Sequence, residues 1–409
     1  YTIKKIIPNK DFESNLFSIA STITEPSLPP FSLNTKCDRL FNPISSHNPI
    51  ILVHGLHGDE YYYWANIPNK FEENGFKVWQ VQYIPANGDN RYNSFLLKSC
   101  IDDVKENTQS NKVNLITHSM GGLISKTYTS NLGRNSKGDS ILYDNDVNHL
   151  VTIGSPLYGS YSANRLRDPG DPLRLLDFFK KLFPEDWKYF FETYNEPAYI
   201  DLSVGSALTW NLNDRGLDDS IKYLTIAGIA DFPLLDQIHH ESNNSDGVVS
   251  PSSASLRNFN TPPLVLLQLN HANEHGKSAI LGAPWCSTTV LGIPVSTCNI
   301  NNLVEGISSF LKDESESNVK TSFDLSSNEY YISSNSQVSD TVPSEFEEGM
   351  VLIRFSGEVV PCSNCVKLRK DSIDYPLVKN IDTNIFTYYS GHNSQTGTTL
   401  PAGSYGLYV

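Results

Sequence analysis

The stretch "KVNLITHSMGGLISK", Lys112 to Lys126, runs apolar alternation into a serine and two glycines, and a helical pattern follows. "KVNLITHS" (112–119) reads as a strand and "MGGLISKTYTSNL" (120–132) as a helix, so Ser119 falls at the turn between them. A serine hydroxyl is a poor nucleophile until a base takes its proton. It must also be exposed for a carbonyl carbon to approach. A sharp strand-to-helix turn gives that exposure and demands small residues two before and two after the serine. Those positions hold Thr117, larger than glycine but still short, and Gly121. The helix from Met120 points its first amides at the same place, which makes the Met120 N–H a candidate oxyanion donor. The plainer alternative is a serine that merely caps the next helix.

What lies upstream favours the nucleophile. "LVHGLHGDEYYYW" (52–64) follows a strand ending at Val53, and His54-Gly55 lets the backbone turn tightly toward Ser119. Leu56 is the candidate second oxyanion donor. His54, Gly55 and His118 are candidate substrate-side neighbours of the serine.

The rest of the first three quarters of the chain keeps the same rhythm. Strands are expected at 49–55, 77–84, 147–156, 222–230 and 264–270, with helices at 64–76 and 93–109. Continuous apolar strands alternating with helices mean a mostly parallel sheet covered on both faces. The expected units are an N-terminal extension (1–48) packed on the main domain, a catalytic domain (49–316) and a small C-terminal all-β domain (319–409) resembling a sandwich. The rhythm breaks at 157–221, an insertion dense in aromatics at helical spacing around "DPLRLLDFFKKLFPEDWKYFFETY" (171–194).

A base and an acid should follow the serine, the acid first. Of ten histidines, His271 sits directly after the strand "LVLLQLN", at its carboxyl end, where the crevice of an open α/β sheet lies. His275 is the spare. For the acid, Asp231, Asp236, Glu241 and Asp246 all lie on the loops after 222–230, and Asp246 is followed by a glycine and two β-branched residues.

The bulk numbers narrow the function. A net charge of -14, from 31 Lys+Arg against 45 Asp+Glu, argues against nucleic acid, because phosphate contacts need a basic patch. No apolar run reaches the roughly 18 residues of a membrane span. Six cysteines suggest two or three structural disulfides, with Cys286–Cys298 and Cys362–Cys365 as small loops, and an oxidising compartment. The expected location is therefore secreted or cell-surface, with any leader removed before Tyr1.

Several of these stretches, taken in order, resemble the secreted bacterial triacylglycerol lipases of the α/β-hydrolase superfamily: "VHGLHGDEYYYW", "KVNLITHSMGGL", "VTIGSPLYGS", "DLSVGSALTWNLN", "SDGVVSPSSA" and "NHANEH". The resemblance covers Ile51 to about Leu311. It implies an α/β-hydrolase fold with a helical lid insertion, Ser119, Asp246 and His271 as catalytic triad, and the amides of Leu56 and Met120 as oxyanion hole. The serine acyl-enzyme chemistry expected of these residues requires no cofactor. Many such lipases carry an aspartate two residues after the histidine as a calcium ligand; here Asn273 stands there, an uncharged ligand, so a structural calcium near Asn273 and Asp231 is left open. The expected activity is cleavage of lipid carboxylic esters at a lipid–water interface by a monomer. Phe178, Phe179, Leu182 and Phe183 of the insertion would form the apolar acyl side of the site. The alternatives are a short-chain carboxylesterase, a phospholipase, a polyester depolymerase, or a surface-binding protein with an inactive hydrolase domain. The C-terminal domain would suit a surface or glycan anchor.

Overall fold

A computed structural model describes residues 2–6, 37–39, 45–56, 64, 67–81, 88–167, 196–228, 245–256, 264–267, 271, 288–290, 293–295, 300–313, 329–332, 350–354, 365–388 and 406–408. The strands in chain order are β1 (Thr2–Ile6), β2 (Cys37–Arg39), β3 (Ile50–Val53), β4 (Val78–Val81), β5 (Val113–His118), β6 (Val147–Ile153), β7 (Lys222–Gly228), β8 (Leu264–Leu267), β9 (Thr288–Val290), β10 (Ile293–Val295), β11 (Glu329–Ile332), β12 (Met350–Arg354), β13 (Lys367–Lys370), β14 (Ile373–Lys379), β15 (Ile385–Tyr388) and β16 (Gly406–Tyr408). The helices are α1 (Ile67–Glu73), α2 (Asn90–Thr108), α3 (Met120–Thr129), α4 (Tyr161–Arg167), α5 (Pro197–Leu202), α6 (Ala207–Arg215), α7 (Pro251–Ala254) and α8 (Ile300–Leu311).

The main sheet has 8 strands in the order β11-β8-β7-β6-β5-β3-β4-β2. From β8 to β4 all neighbours are parallel, while β11 and β2 are antiparallel edges. Parallel strands need both faces covered, and the sequence provides for that. Ile50 and Leu52 face one core with Ile116, Val151 and Leu224; Ile51 and Val53 face the other with Leu115, Leu123 and Tyr128. That is the period-2 alternation of a strand buried on both sides. Burying each such side chain stabilises the fold by about 1.5–3 kcal/mol. On the first face, Leu303, Val304, Ile307 and Leu311 of α8 join Ile67 and Phe71 of α1. Helix α2 starts at Asp89, whose carboxylate accepts from Arg91 N at 2.6 Å, and stops at Gln109 in the left-handed region.

The parallel register brings Val53, Thr117 and Thr152 side by side. The loops that follow β3, β5 and β6 therefore open on one edge, the carboxyl edge where α/β sheets bind their ligands.

The C-terminal strands form a 6-stranded sheet, β1-β12-β15-β14-β13-β16, antiparallel throughout. Among the described residues it is one sheet, where the pattern of short strands had suggested a sandwich. Two strands also cross the expected domain limits. β1, from the N-terminal extension, pairs with β12 of the C-terminal strands. β11, from beyond residue 319, pairs with β8 at the edge of the main sheet. The smaller sheet shares a core with the larger: Leu352 and Ile385 belong to the cluster that holds Leu157, Tyr161 and Trp210. A disulfide, Cys37–Cys100, ties β2 to α2, and Cys365 is disulfide-bonded too. Within the insertion, α4, α5 and α6 are described. Phe178, Phe179, Leu182, Phe183 and the rest of 168–195 lie outside the described residues. No helix among the described residues is long and apolar enough to cross a membrane.

Candidate active site

Strand β5 ends at His118 and α3 begins at Met120, so the whole turn is Ser119. Its backbone takes φ 54 and ψ -127, a conformation that costs a non-glycine residue about 1–3 kcal/mol. Its N–H donates to Ile153 O at 2.9 Å, and its carbonyl accepts from Gly122 N at 3.1 Å. Crowding around the turn is severe. A Cβ on Gly121 would stand 2.3 Å from Val53 O and 2.7 Å from His54 O, and one on Gly122 would stand 2.2 Å from Ser155 Oγ. Only glycine lets α3 come this close to the end of β3. Thr117, the residue that departs from glycine, is fully buried and turns its hydroxyl sideways to donate to Val151 O of β6 at 3.0 Å. The hydroxyl is thus satisfied across the sheet, while its oxygen packs against Gly122, 3.3 Å from where a Cβ there would stand.

His271 lies opposite the serine, its Nε2 2.8 Å from Ser119 Oγ. Its Nδ1 is 2.7 Å from Asp246 Oδ2. Asp246 is 2% exposed, and its other oxygen accepts from the amides of Val248 at 2.8 Å and Val249 at 2.6 Å. This tight turn needs Gly247, whose φ is 90°. The backbone closes the pair again: His271 N–H donates to Asp246 O at 2.9 Å. Three residues separated by up to 152 positions thus form one hydrogen-bonded line.

The two candidate oxyanion donors flank the serine on the same edge. Met120 N is the first amide of α3, free of an intrahelical acceptor by its position. At Leu56 the orientation is set from behind. The His54 ring, 2% exposed, donates from Nδ1 to Gly55 O at 2.8 Å. The Gly55 carbonyl and the Leu56 N–H belong to one planar peptide and point opposite ways. Holding the carbonyl therefore aims the amide. Burial holds the His54 pKa down at about 4, so the ring is neutral at ordinary pH. His118 is also buried, at 1%, and packs between Trp64 and His271, with ring centroids 6.4 and 4.6 Å away. Both histidines are thus buried next to the site, His54 against the Gly55 carbonyl and His118 against the His271 ring.

The sequence did not reveal these supports: the Thr117 hydroxyl bond, the two amides on Asp246, and the prop from His118. Only the second had a visible signal, the Asp-Gly pair that favours a side-chain-capped turn. As for metals, Asn273, Asp231 and the spare His275 lie outside the described residues. The group of carboxylates that the described residues do gather, Asp102, Asp144 and Asp146, is bound by Lys98 and Lys105. Two lysines thus face three carboxylates, and the Lys98–Asp144 and Lys105–Asp146 pairs join α2 to the loop that leads into β6.

Residues 48–210 match the family model described as alpha/beta hydrolase fold. Over 127 residues, 29% of this chain, the sequence is 32% identical to a triacylglycerol lipase of Pseudarthrobacter phenanthrenivorans and, again at 32%, to one of Burkholderia plantarii. A triacylglycerol lipase of Pseudomonas fragi is 29% identical over 136 residues. The matches span about a third of those lipases, from 32 to 42% of their length. Among solved structures, the mature lipase BlEst2 of Bacillus licheniformis matches with TM-score 0.41 and 19% identity, covering 58% of this chain and 90% of its own. The phospholipase PlaB of Legionella pneumophila matches with TM-score 0.46 and 14% identity, covering 84 and 80%.

Proposed function

We propose that this chain, whose main sheet has the α/β-hydrolase fold, hydrolyses carboxylic esters of lipids through a serine acyl-enzyme. One observation carries the reading: the unbroken hydrogen-bonded line from Ser119 Oγ through His271 to Asp246. An ionised carboxylate only accepts, so His271 Nδ1 holds its proton toward Asp246 and leaves Nε2 to receive the serine proton. Ser119 Oγ attacks the ester carbonyl carbon as His271 Nε2 takes that proton. The carbonyl oxygen becomes an oxyanion and is met by the amides of Met120 and Leu56. His271, now an imidazolium stabilised by Asp246, gives its proton to the leaving alcohol oxygen. Water then enters on the same face, loses a proton to His271 and attacks the acyl-enzyme, releasing the acid and restoring Ser119. Every step uses groups of this chain, and none calls for a cofactor.

The lipid preference is supported by the triacylglycerol lipases it resembles over that third of their length, and by the aromatic insertion at 171–194. An extracytoplasmic location fits the Cys37–Cys100 and Cys365 disulfides, which persist where thiols are oxidised. The test is hydrolysis of p-nitrophenyl esters from acetate to palmitate, with an emulsified triacylglycerol beside them. Rates that rise with chain length support lipid esters. A preference confined to acetate and butyrate would make it a short-chain esterase, and no hydrolysis of any ester would end the proposal.

A further inference from the structure

Beside the catalytic line, the acid loop rests on a serine that the chemistry does not use. Ser160 is 4% exposed and donates its hydroxyl to the carbonyl of Val248, two residues from Asp246, at 2.7 Å. Its N–H donates to Leu202 O at 2.7 Å, and it pairs in parallel with Ser203. Gly159, at φ 97°, presses so closely on the same segment that a Cβ there would stand 2.5 Å from Val204 N. Residues 159–160 and 202–204 therefore move as one piece, with Val248 on one side of it.

The other side of that piece is held by the C-terminal sheet. In the turn between β14 and β15, Asn380 is 2% exposed and donates from Nδ2 to Val204 O at 2.9 Å. Thr383 donates its hydroxyl to Gly205 O at 2.9 Å. Asp382 takes both guanidinium nitrogens of Arg167, the last residue of α4, one of them at 2.9 Å. Ile385 fills the space over Gly205, 3.0 Å from where a Cβ would stand. These contacts, anchored on the buried Asn380 and Arg167, form one polar joint between the two parts.

We propose that Asn380, Asp382, Thr383 and Ile385 of the C-terminal sheet position the active site: they hold 202–205 and, through Ser160, keep the Asp246 loop in register with His271. The inference rests on the ester-hydrolase reading above and adds a role for a part of the chain outside the hydrolase sheet. A shift of the acid loop by less than about 1 Å lengthens the Asp246–His271 bond, which acts on the imidazolium of the transition state and leaves ground-state binding alone.

The experiment uses the full chain and p-nitrophenyl butyrate, a soluble ester. Thr383→Val removes one hydroxyl from the joint, Thr383→Ser restores it, and Ser160→Ala cuts the link to Val248. Ile381→Ser, on a side chain 60% exposed on the same turn, is the control. Thermal melts certify that each variant is folded. The expected result is a kcat lowered on the order of 10-fold in Thr383→Val and Ser160→Ala, with KM within about twofold and wild-type kcat in Thr383→Ser and Ile381→Ser. The double variant Ser160→Ala/Thr383→Val should be no slower than the slower single, because both break one linkage. Wild-type kcat in folded Thr383→Val, or losses that add in the double variant, would overturn the inference and leave the ester reading standing. If Thr383→Val does not fold, wild-type kcat in Ser160→Ala overturns the inference in its place. Wild-type protein that hydrolyses no ester would overturn both.

Discussion

His118 Nε2 lies 2.9 Å from the backbone oxygen of His271, so the residue before Ser119 holds the loop that carries the proposed base. A carbonyl oxygen only accepts, hence His118 Nε2 bears the hydrogen. The contact helps to fix the distance between Ser119 and His271, which exchange a proton in the proposed mechanism. His118→Phe keeps the ring packing and removes the donor; His118→Gln keeps a donor. The expected kcat is lowered about 10-fold in the phenylalanine variant and partly recovered in the glutamine variant, with KM little changed, as steady-state ester kinetics would read. Equal activity in both would show that the bond to His271 does not matter.

Thr117 should matter to stability more than to chemistry. Thr117→Val keeps the shape and leaves Val151 O without its 3.0 Å donor. Loss of a buried bond of this kind costs about 1–2 kcal/mol. Denaturant unfolding should show that loss while kcat stays within about twofold of wild type. A large drop in kcat with unchanged stability would mean that the hydroxyl reaches the chemistry.

Acid should weaken the fold through His54. Unfolded, this histidine takes its proton near 6.5; folded, burial delays protonation to about 4. Between those values the unfolded chain binds a proton that the folded chain refuses, so this contribution to stability is full above pH 6.5 and is lost as pH falls toward 4. His149, also lowered by burial, acts in the same direction. Asp201 acts oppositely: burial pushes it up to about 7, so it binds its proton more readily when folded. Comparing variants isolates one group. His54→Asn should lose less stability than wild type between about pH 7 and 4.5, read as the change in melting temperature. Parallel curves for the two proteins would refute this.

The Cys37–Cys100 bridge closes a loop of sequence separation 63. A loop of that size restricts the unfolded chain by about 4 kcal/mol in the chain-entropy description. Cys37→Ser/Cys100→Ser should therefore lower the melting temperature clearly, with little effect on kcat, since β2 is an outer strand remote in the sheet order from β5. An unchanged melting temperature would mean that the edge strand is held without the bond.

Much of the main sheet was legible because its cause is local. Four consecutive buried apolar residues in Ile50–Val53, or six buried positions in Val113–His118, leave few options but a doubly covered strand. The serine turn was legible from its own Thr117–Gly121 pattern between a strand and a helix, although the carbonyls that crowd Gly121 belong to the distant Val53 and His54. His271 could be placed by its position after β8. Pairings across long separations were not legible. Nothing in "TIKKI" says that its partner is "MVLIR", residues 350–354, and nothing in Cys37 selects Cys100 over four other cysteines. Short alternating strands announce a sheet but not how many sheets they make, which is why a sandwich was expected where, among the described residues, six strands form one sheet. The supports of the site, His118 behind His271 and Ser160 beneath Val248, arise only when loops meet in space.

The central claim is that Ser119 is the nucleophile, and covalent capture tests it most directly. The protein would be treated with a fluorophosphonate, a reagent that phosphonylates activated serines, and the modified peptide mapped by mass spectrometry beside Ser119→Ala. The account predicts one adduct per chain on Ser119, ester hydrolysis lost in step with its formation, and a folded Ser119→Ala protein that takes no label and has lost at least about 10⁴-fold in kcat. An adduct on another residue, or a Ser119→Ala protein that still hydrolyses esters at the wild-type rate, would contradict it.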